Sequence, residues 1–220
     1  MKKSLTAATA IILIIGYWFL ENVDLREVRD RLGIDRQGKG ASSTKAGSYD
    51  RLDSCSWIDH RNNDGDSFHV RHGDEQYEFR LHFVDAPESK VKHYRNGENN
   101  LTRIGHQGRY FGGLSVDDTT AVGSEAKKFT QSMLKGRTFT LYTQWQLVHK
   151  DDTRYFALIE IEDAAGRGRW LSEMLVEQGL ARIYTIGADM PDGTPKEEQE
   201  AELRSLERSA KDGKVGAWRF

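Results

Sequence analysis

Three acidic residues and one arginine follow one another closely in the first half of the chain. Asp66 stands in the run Asp-Gly-Asp-Ser-Phe, and Arg80, Asp85 and Glu88 stand in the run Arg-Leu-His-Phe-Val-Asp-Ala-Pro-Glu. Carboxylates serve as hard oxygen ligands for a divalent cation or as a general base, and arginine offers a planar fork to a phosphate. Attack of water on a phosphodiester uses these groups together. The residue types therefore indicate metal-assisted phosphoryl chemistry.

Each part of this pattern also has a plainer interpretation. Asp64-Gly65 is a common hairpin turn, and an Ala-Pro-Glu run by itself marks only the end of a strand. Arg80 lies in an alternating strand pattern and could be a solvated residue on its outer face. The occurrence of all these parts in one order favours a functional site over three unrelated features.

The elements that must position these residues follow from hydrophobic periodicity and turn residues. Strands are predicted over residues 54–60, 66–72, 75–84, 137–145 and 154–161, and helices over 116–135, 170–178 and 195–211. The second and third strands form a hairpin at His72-Gly73-Asp74, Ser115 caps the first helix, Gly179 ends the second, and Thr194-Pro195 opens the third. This order predicts an α+β fold with a five-stranded OB-type β-barrel and about three packed helices.

The two acidic motifs resemble the signature of the staphylococcal nuclease family, DGDT-[VF] followed by RL-x-[GFL]-[IV]-D-[AT]-PE. Three later segments, 123–129, 171–181 and 211–218, resemble packing motifs of the same family and extend the resemblance over residues 53–218. The family has the OB-type architecture, so the resemblance and the strand pattern agree.

The resemblance implies roles for particular residues. Arg80 and Arg154 match the two catalytic arginines, and Glu88 matches the catalytic glutamate. Asp66, Asp85 and the backbone carbonyl of Ala86 match the ligands of Ca2+, and Asp64 matches an acid in its outer shell. Near Arg154 the chain departs from the family, because Asp152-Thr153 replaces Tyr-Gly. Tyr184 is offset by one residue from a tyrosine that lies against the nucleotide, and it is either a base-stacking or a structural residue.

The segment between Glu88 and Glu125 is longer than in compact members of the family. It contains Lys90, Lys92, Arg95, Arg103 and Arg109, with aromatic residues among them. This mixture is typical of a nucleic-acid-binding lip, and the alternative is a solvated insertion with one short helix near residues 101–111. His82, which shares the strand face of Arg80, is predicted to be a polar face residue.

Overall charge gives no support to a nonspecific nucleic-acid binder. The 220 residues include 32 basic and 34 acidic side chains, for a net charge of -2. Any nucleic acid must therefore be held by a local site rather than by a global field. The single cysteine, Cys55, excludes an intramolecular disulfide and is predicted to be a buried strand thiol.

The N-terminal segment is distinct from the rest. Lys2 and Lys3 precede an uncharged apolar run over residues 4–20, which predicts a transmembrane anchor or uncleaved signal over residues 1–20. A juxtamembrane segment and flexible linker are predicted over 21–49, and the nuclease-like domain over 50–220. The two lysines favour a membrane-anchored domain exported to the periplasm or outside the cell. The alternative is secretion after signal cleavage.

The functional hypothesis is a calcium-dependent nuclease that hydrolyses DNA, RNA or both with low sequence specificity. The alternative is a noncatalytic OB-type module that binds nucleic acid or protein at the cell envelope. No obligate protein partner is inferred.

Overall fold

The computed structural model describes residues 43–163 and 166–220. The predicted anchor over 1–20 and most of the predicted linker lie outside these residues. Within the described part of the chain, no helix has the length and apolar content needed to cross a bilayer.

The described residues form a mixed α+β structure, which confirms the predicted class. The strands are β1 (Ser43–Ala46), β2 (Tyr49–Trp57), β3 (Ser67–His72), β4 (Glu75–Leu81), β5 (Val84–Asp85), β6 (Thr138–Leu147), β7 (Arg154–Glu162), β8 (Gly168–Trp170) and β9 (Arg182–Ile183). The helices are α1 (Leu101–Tyr110), α2 (Val116–Leu134), α3 (Leu171–Glu177) and α4 (Lys196–Asp212), followed by a 3-10 turn over Gly216–Arg219. The short helix predicted in the insertion is therefore present as α1.

The larger sheet has the order β1-β2-β3-β4-β7-β6, with β8 paired to β7. Strand β6 also pairs with β2. Each of the strands β2, β3, β4, β7 and β6 therefore pairs with the next in this order, and the last pairs again with the first. This arrangement is consistent with an OB-like fold. Strands β4 and β7 run parallel, with Glu78 opposite Arg154 and Arg80 opposite Phe156. The two predicted catalytic arginines therefore lie on neighbouring strands.

The core lies between this sheet and helices α2 and α3. Fully buried strand residues include Phe68, Phe79, Leu81, Leu141 and Ile159, and the helices contribute Val122, Ala126, Leu171 and Leu175. Cys55 is completely buried in β2, as predicted, and burial together with the charge of Asp53 raises its pKa to about 12. Burial of this apolar surface is the main force that holds the helices on the sheet.

Two of the predicted helix boundaries are confirmed and one is wrong. The Ser115 side chain accepts a hydrogen bond from the backbone amide of Asp118, which caps α2. Gly179 follows the end of α3 with a φ of 61°, the left-handed conformation of a helix-terminating glycine. Helix α4 begins at Lys196, because Pro195 itself takes the extended N-cap conformation, and the Asp189 side chain accepts from the Lys196 amide at 3.0 Å.

The N-terminal side of the domain extends further than predicted. β2 begins at Tyr49, and β1 pairs with it in a tight antiparallel hairpin, from Ser43 opposite Leu52 to Ala46 opposite Tyr49. The side chains of β1 are largely exposed, so backbone hydrogen bonds to β2 hold this strand in place. Because β1 has no apolar alternation, the sequence does not predict it. Residues 43–46 are thus part of the sheet, a correction to the linker predicted up to residue 49.

His82 is buried, which corrects its prediction as a polar face residue. Its ring stacks on Phe156 at 4.9 Å between centroids, and Nδ1 lies 3.1 Å from the carbonyl oxygen of Ile186. Burial lowers the pKa of His82 from 6.5 to about 4, and the hydrogen bond to Ile186 opposes that shift only in part. The neutral imidazole is therefore the form that the folded protein accommodates.

The low pKa of His82 predicts a loss of stability in acid. As the pH falls from 6.5 towards 4, the unfolded chain binds a proton at this residue while the folded protein does not. The free energy of unfolding should fall by about 3 kcal/mol over that interval on account of His82. Denaturant titrations at several pH values give the free energy of unfolding of the wild type and of His82→Gln. The predicted effect is a steeper dependence of this free energy on pH in the wild type. Equal pH dependence in the two proteins would contradict the assignment.

Candidate active site

A sharp bend after β4 brings Asp85 beside Arg80. Phe83 has a φ of 69°, which is unusual for a bulky residue and costs on the order of 1–3 kcal/mol. Hydrogen bonds from the Phe83 amide to the Ile186 carbonyl and from the Tyr184 amide to the Phe83 carbonyl hold the bend. The predicted strand 75–84 is therefore interrupted, and its last residues form β5, paired with β9. The bend therefore places the Asp85 side chain next to that of Arg80.

Asp66 reaches the same place from the preceding loop. Its backbone carbonyl accepts from the Leu81 amide at 2.9 Å, and its Oδ2 accepts from the Ala86 amide at 2.7 Å. Gly65 packs against Ala86 and Ala126 so closely that a Cβ would lie 2.8 Å from each of their methyl carbons. The Asp-Gly-Asp turn is therefore docked against α2 and presents Asp66 next to the end of β5.

Arg80 joins the two aspartates. Its Nη2 lies 2.6 Å from Oδ1 of Asp85 and 3.3 Å from Oδ2 of Asp66, and only 12% of its side chain is exposed. The alternative interpretation of Arg80 as a solvated face residue is therefore wrong. The arginine and both predicted metal ligands form one hydrogen-bonded cluster.

The carboxylate of Asp85 is completely buried and fully hydrogen-bonded. Oδ1 accepts from Arg80 and Arg103, and Oδ2 accepts from Arg182 at 2.8 Å and from Gln107 at 2.9 Å. Burial alone would raise the pKa of Asp85, but the guanidinium groups of Arg103 and Arg80 outweigh it and lower the pKa. Asp85 is therefore held as an anion.

The pKa values of the two acids in the Asp-Gly-Asp run, Asp64 and Asp66, are shifted in the opposite direction from that of Asp85. Burial raises the pKa of Asp66, and the charge of Arg80 offsets that shift only in part. Burial and the charges of Asp66 and Glu88 raise the pKa of Asp64 to about 6. Additional positive charge near these two carboxyl groups would favour their ionised forms.

Glu88, the predicted base, is held by the insertion that follows it. Oε1 accepts from Nε of Arg103 at 2.9 Å, and Oε2 accepts from Lys92 at 2.8 Å and from Asn100 at 3.1 Å. The backbone amide of Glu88 donates to Gln107. Burial raises the pKa of Glu88, but Lys92 and Arg103 together lower it below its ordinary value. The carboxylate is ionised and firmly positioned.

Arg154 is paired with the acid that distinguishes this chain from the family pattern. Its Nη2 lies 2.6 Å from Oδ2 of Asp152, and its Nε lies 3.0 Å and 3.1 Å from the two carboxylate oxygens. The bonds from Arg154 lower the pKa of Asp152 to about 2. A phosphate that approaches Arg154 therefore competes with a carboxylate already in place.

One cleft of about 390 Å³ brings the predicted catalytic residues together. Arg80, Glu88 and Arg154 line it, along with Arg103 and Tyr184. The Tyr184 side chain is 61% exposed at this cleft, and the guanidinium of Arg182 lies 3.8 Å from its ring centroid. One face of the Tyr184 ring is therefore covered by a buried guanidinium, and base stacking on this tyrosine stays a prediction.

The oxygen donors of this cluster suit a hard cation, but each already has a partner. The Ala86 carbonyl accepts from Gln107 at 3.0 Å, and the oxygens of Asp66 and Asp85 accept from the donors described above. Over residues 43–163 and 166–220 no group of three or more His, Cys, Asp or Glu side chains is arranged to hold a metal ion. The oxygen ligands of the site are of the type that calcium prefers, but the positive charge of the arginines that contact them disfavours calcium binding.

Sequence reasoning missed several partners of the acids. The sequence places Arg103 and Lys92 in a nucleic-acid lip or a solvated insertion, whereas both bind Glu88, and it indicates no role for Asn100, Gln107 or Arg182. The only local signal was the position of Arg103 inside a predicted helix beside a long insertion. Arg182 follows a packing motif, and nothing in its neighbourhood points to Asp85, 97 residues away.

The packing of α2 against the segment that carries Glu88 predicts a sensitive glycine. A Cβ at Gly123 would overlap the carbonyl oxygens of Pro87 and Glu88, so Gly123→Ala must displace this backbone. We expect the free energy of unfolding of Gly123→Ala, measured by denaturant titration, to fall by about 1–3 kcal/mol. The matched control is Gly105→Ala in α1, where a Cβ meets only the end of Arg109 at 3.7 Å. An equal change of stability in Gly123→Ala and Gly105→Ala would contradict the close packing of Gly123 against the carbonyl oxygens of Pro87 and Glu88.

The fold and the cleft define an OB-like α+β domain with a cluster of carboxylates and arginines, and comparison with known proteins identifies its family. Residues 78–220 match the family described as Staphylococcal nuclease homologue, which is well over half of the chain. The chain belongs to this family. The match begins within β4, so the Asp64–Phe68 run lies upstream of it and is placed in the site by the contacts of Asp66.

A relative in Methanocaldococcus jannaschii is also similar. It is 29% identical over 161 residues, which cover 71% of this chain and 68% of the relative. That protein is described as uncharacterized, so it adds support for the domain and none for a particular reaction.

Proposed function

We propose that this protein is a nuclease that hydrolyses phosphodiester bonds of DNA, RNA or both. The observation that carries the proposal is the convergence of Arg80, Glu88 and Arg154 on one cleft, with Asp66 and Asp85 at the base of Arg80. Members of this family are generally nucleases, and all five residues that the resemblance assigns to the reaction are present: Arg80, Glu88, Arg154, Asp66 and Asp85.

In the proposed reaction each of these residues has a separate role. Glu88 takes the proton from the attacking water, and its ionised state at neutral pH suits that role. Arg80 and Arg154 stabilise the negative charge that builds on the phosphoryl oxygens, and arginine stays protonated throughout. Asp66, Asp85 and the Ala86 carbonyl would hold Ca2+, with Asp64 behind them, to supply Lewis-acid charge next to the phosphate.

An assay of the full chain on plasmid DNA and on RNA, with calcium and with excess chelator, tests this function. Cleavage that requires calcium is the expected result. Two direct carboxylates make a weak site, so calcium affinity should rise when a nucleoside bisphosphate is present. Absence of cleavage under all conditions, or full activity in chelator, would contradict the proposal.

A second candidate is a noncatalytic module that binds nucleic acid or protein. The observation in its favour is the saturation of Glu88, whose oxygens already accept from Arg103, Lys92 and Asn100. The same assay separates the two functions, because this candidate retains a labelled oligonucleotide without cleaving it.

We also propose that the domain is anchored through residues 4–20 and exported. The support is in the sequence: an uncharged apolar run after Lys2 and Lys3, opposed by Arg26, Arg29 and Arg31 on its other flank. Protease added to intact cells or spheroplasts should then release an active fragment by cutting within residues 34–42. A domain that stays protected until the membrane is broken would contradict export and leave the nuclease function intact.

A further inference from the structure

The acids of the site are already neutralised by side chains of the protein itself. Four basic residues form ion pairs with Asp66, Asp85 and Glu88: Arg80, Lys92, Arg103 and Arg182. A divalent cation added to this cluster would lie within a few ångströms of guanidinium groups, where like charges repel strongly. Cation binding therefore requires that one of these bases move away.

Arg103 is the base best placed to move. Its side chain is 39% exposed, against 12% for Arg80 and 5% for Arg182, so it can reach solvent without opening the core. Lys92 is equally exposed, at 40%, but it pairs only with Glu88 and not with a predicted metal ligand. It also bridges the two carboxylates concerned, with Nη2 on Asp85 and Nε on Glu88. A single rotamer change of Arg103 would free Oε1 of Glu88 and would remove one of the two guanidinium groups from Oδ1 of Asp85, which then keeps only Arg80 on that oxygen.

Helix α1, which carries Arg103, is held in place by side-chain hydrogen bonds of two other residues. Gln107, one turn further along, is completely buried and bonds to Asp85, to the Ala86 carbonyl and to the Glu88 amide. Asn100, at the start of the helix, donates to Glu88 and to the Lys90 carbonyl. The spacing 100, 103 and 107 places all three side chains on one face of the helix. The helix can therefore stay in place while the long Arg103 side chain swings.

We propose that Arg103 is an internal counter-ion that competes with the divalent cation for Asp85 and Glu88, so that the insertion carrying α1 sets the metal affinity of the site. The inference rests on the proposed function for the identity of the cation site. With Arg103 in place, Glu88 is bound to a guanidinium and the metal ligand is covered. When a cation binds, Arg103 turns out into the cleft that it lines, where a phosphate can accept from its fork.

The competition predicts how removal of Arg103 changes calcium binding. A ligand that must displace a resident group binds more weakly by the fraction of molecules in which the site is free. If Arg103 occupies the site in about 90–99% of molecules, its removal should tighten calcium binding by roughly 10- to 100-fold. A residue that only held the ligands in place would have the opposite effect, since its loss would weaken binding.

The experiment is titration calorimetry of the full chain with calcium chloride alone, without nucleotide. Arg103→Met keeps the length of the side chain and removes its charge, and the matched control is Arg109→Met on the exposed side of the same helix. We expect tighter binding in Arg103→Met only. Asp85 retains Arg80, Arg182 and Gln107 in that variant, and Arg103→Lys, with charge but no fork, provides an intermediate case if Arg103→Met does not fold.

Unchanged or weaker binding in a folded Arg103→Met protein, or an equal gain in Arg109→Met, would overturn the inference. Binding that stays undetectable in every variant would overturn it as well. The cleavage assay keeps this result separate from the proposed function. Calcium-dependent cleavage by the wild type with no affinity change in Arg103→Met leaves the function and removes the competition, whereas tighter binding without any cleavage does the reverse.

Discussion

Replacement of Glu88 by glutamine is expected to lower turnover by about 10²–10⁴-fold while the fold is retained. Glutamine has the shape of glutamate and still accepts at one oxygen, so Asn100 and one of the two basic partners keep an acceptor. It cannot take a proton from water. Initial rates on plasmid DNA at saturating calcium, with a denaturant titration of the same sample, measure both parts of the prediction.

The control for this variant is Glu98→Gln in the same insertion. Glu98 is exposed and bonds only locally, to Asn96, so its loss of charge should leave turnover near that of the wild type. Near-normal turnover in a folded Glu88→Gln protein would remove Glu88 from the role of base. The nuclease function would then need another proton acceptor in the cleft.

Replacement of Arg80 by methionine is expected to reduce both stability and activity. Arg80 is nearly buried between Asp66 and Asp85, and a buried carboxylate that loses its partner typically costs about 3–5 kcal/mol. Loss of one group that stabilises the transition state lowers turnover by about 10²–10³-fold. Denaturant unfolding gives the first quantity, and initial rates well below the melting temperature give the second.

Arg71→Met on the adjacent strand β3 provides the comparison, because Arg71 is exposed. A surface change of this kind should alter stability by no more than about 0.5 kcal/mol. If Arg80→Met were equally mild, the ion pairs with the two aspartates would not contribute to the fold. Activity retained in Arg80→Met would exclude this arginine from the reaction.

The elements that the sequence predicts well are those with local signals. The hairpin at His72-Gly73-Asp74 joins β3 to β4 as expected, and α2, α3 and α4 start and end within about two residues of their predicted limits. Apolar periodicity, a serine cap and terminal glycines act over a few residues, so they can be recognised without tertiary contacts. The motifs that contain Asp66, Arg80, Asp85 and Glu88 are likewise short, and the structure brings these four side chains together, while their roles stay a prediction.

The features that were missed depend on contacts between distant residues. β1 is polar and is held by backbone bonds to β2, so it has no apolar alternation to detect. His82 lies between the buried residues Leu81 and Phe83 and is itself buried against Phe156, a contact with a distant strand that the local sequence does not show. Arg103 contacts Asp85 across 18 residues and forms a bond that no local pattern encodes.

The ion pair between Asp85 and Arg182 has a consequence for the newly made chain. Asp85 leaves the ribosome long before Arg182, which lies 97 residues later, and β5 has no partner strand until β9 is synthesised. Contacts of such long sequence separation form late in folding. We therefore expect a growing polypeptide to carry an incomplete cleft until Arg182 has left the ribosome. Under the proposed function, a nascent chain would be inactive until that point.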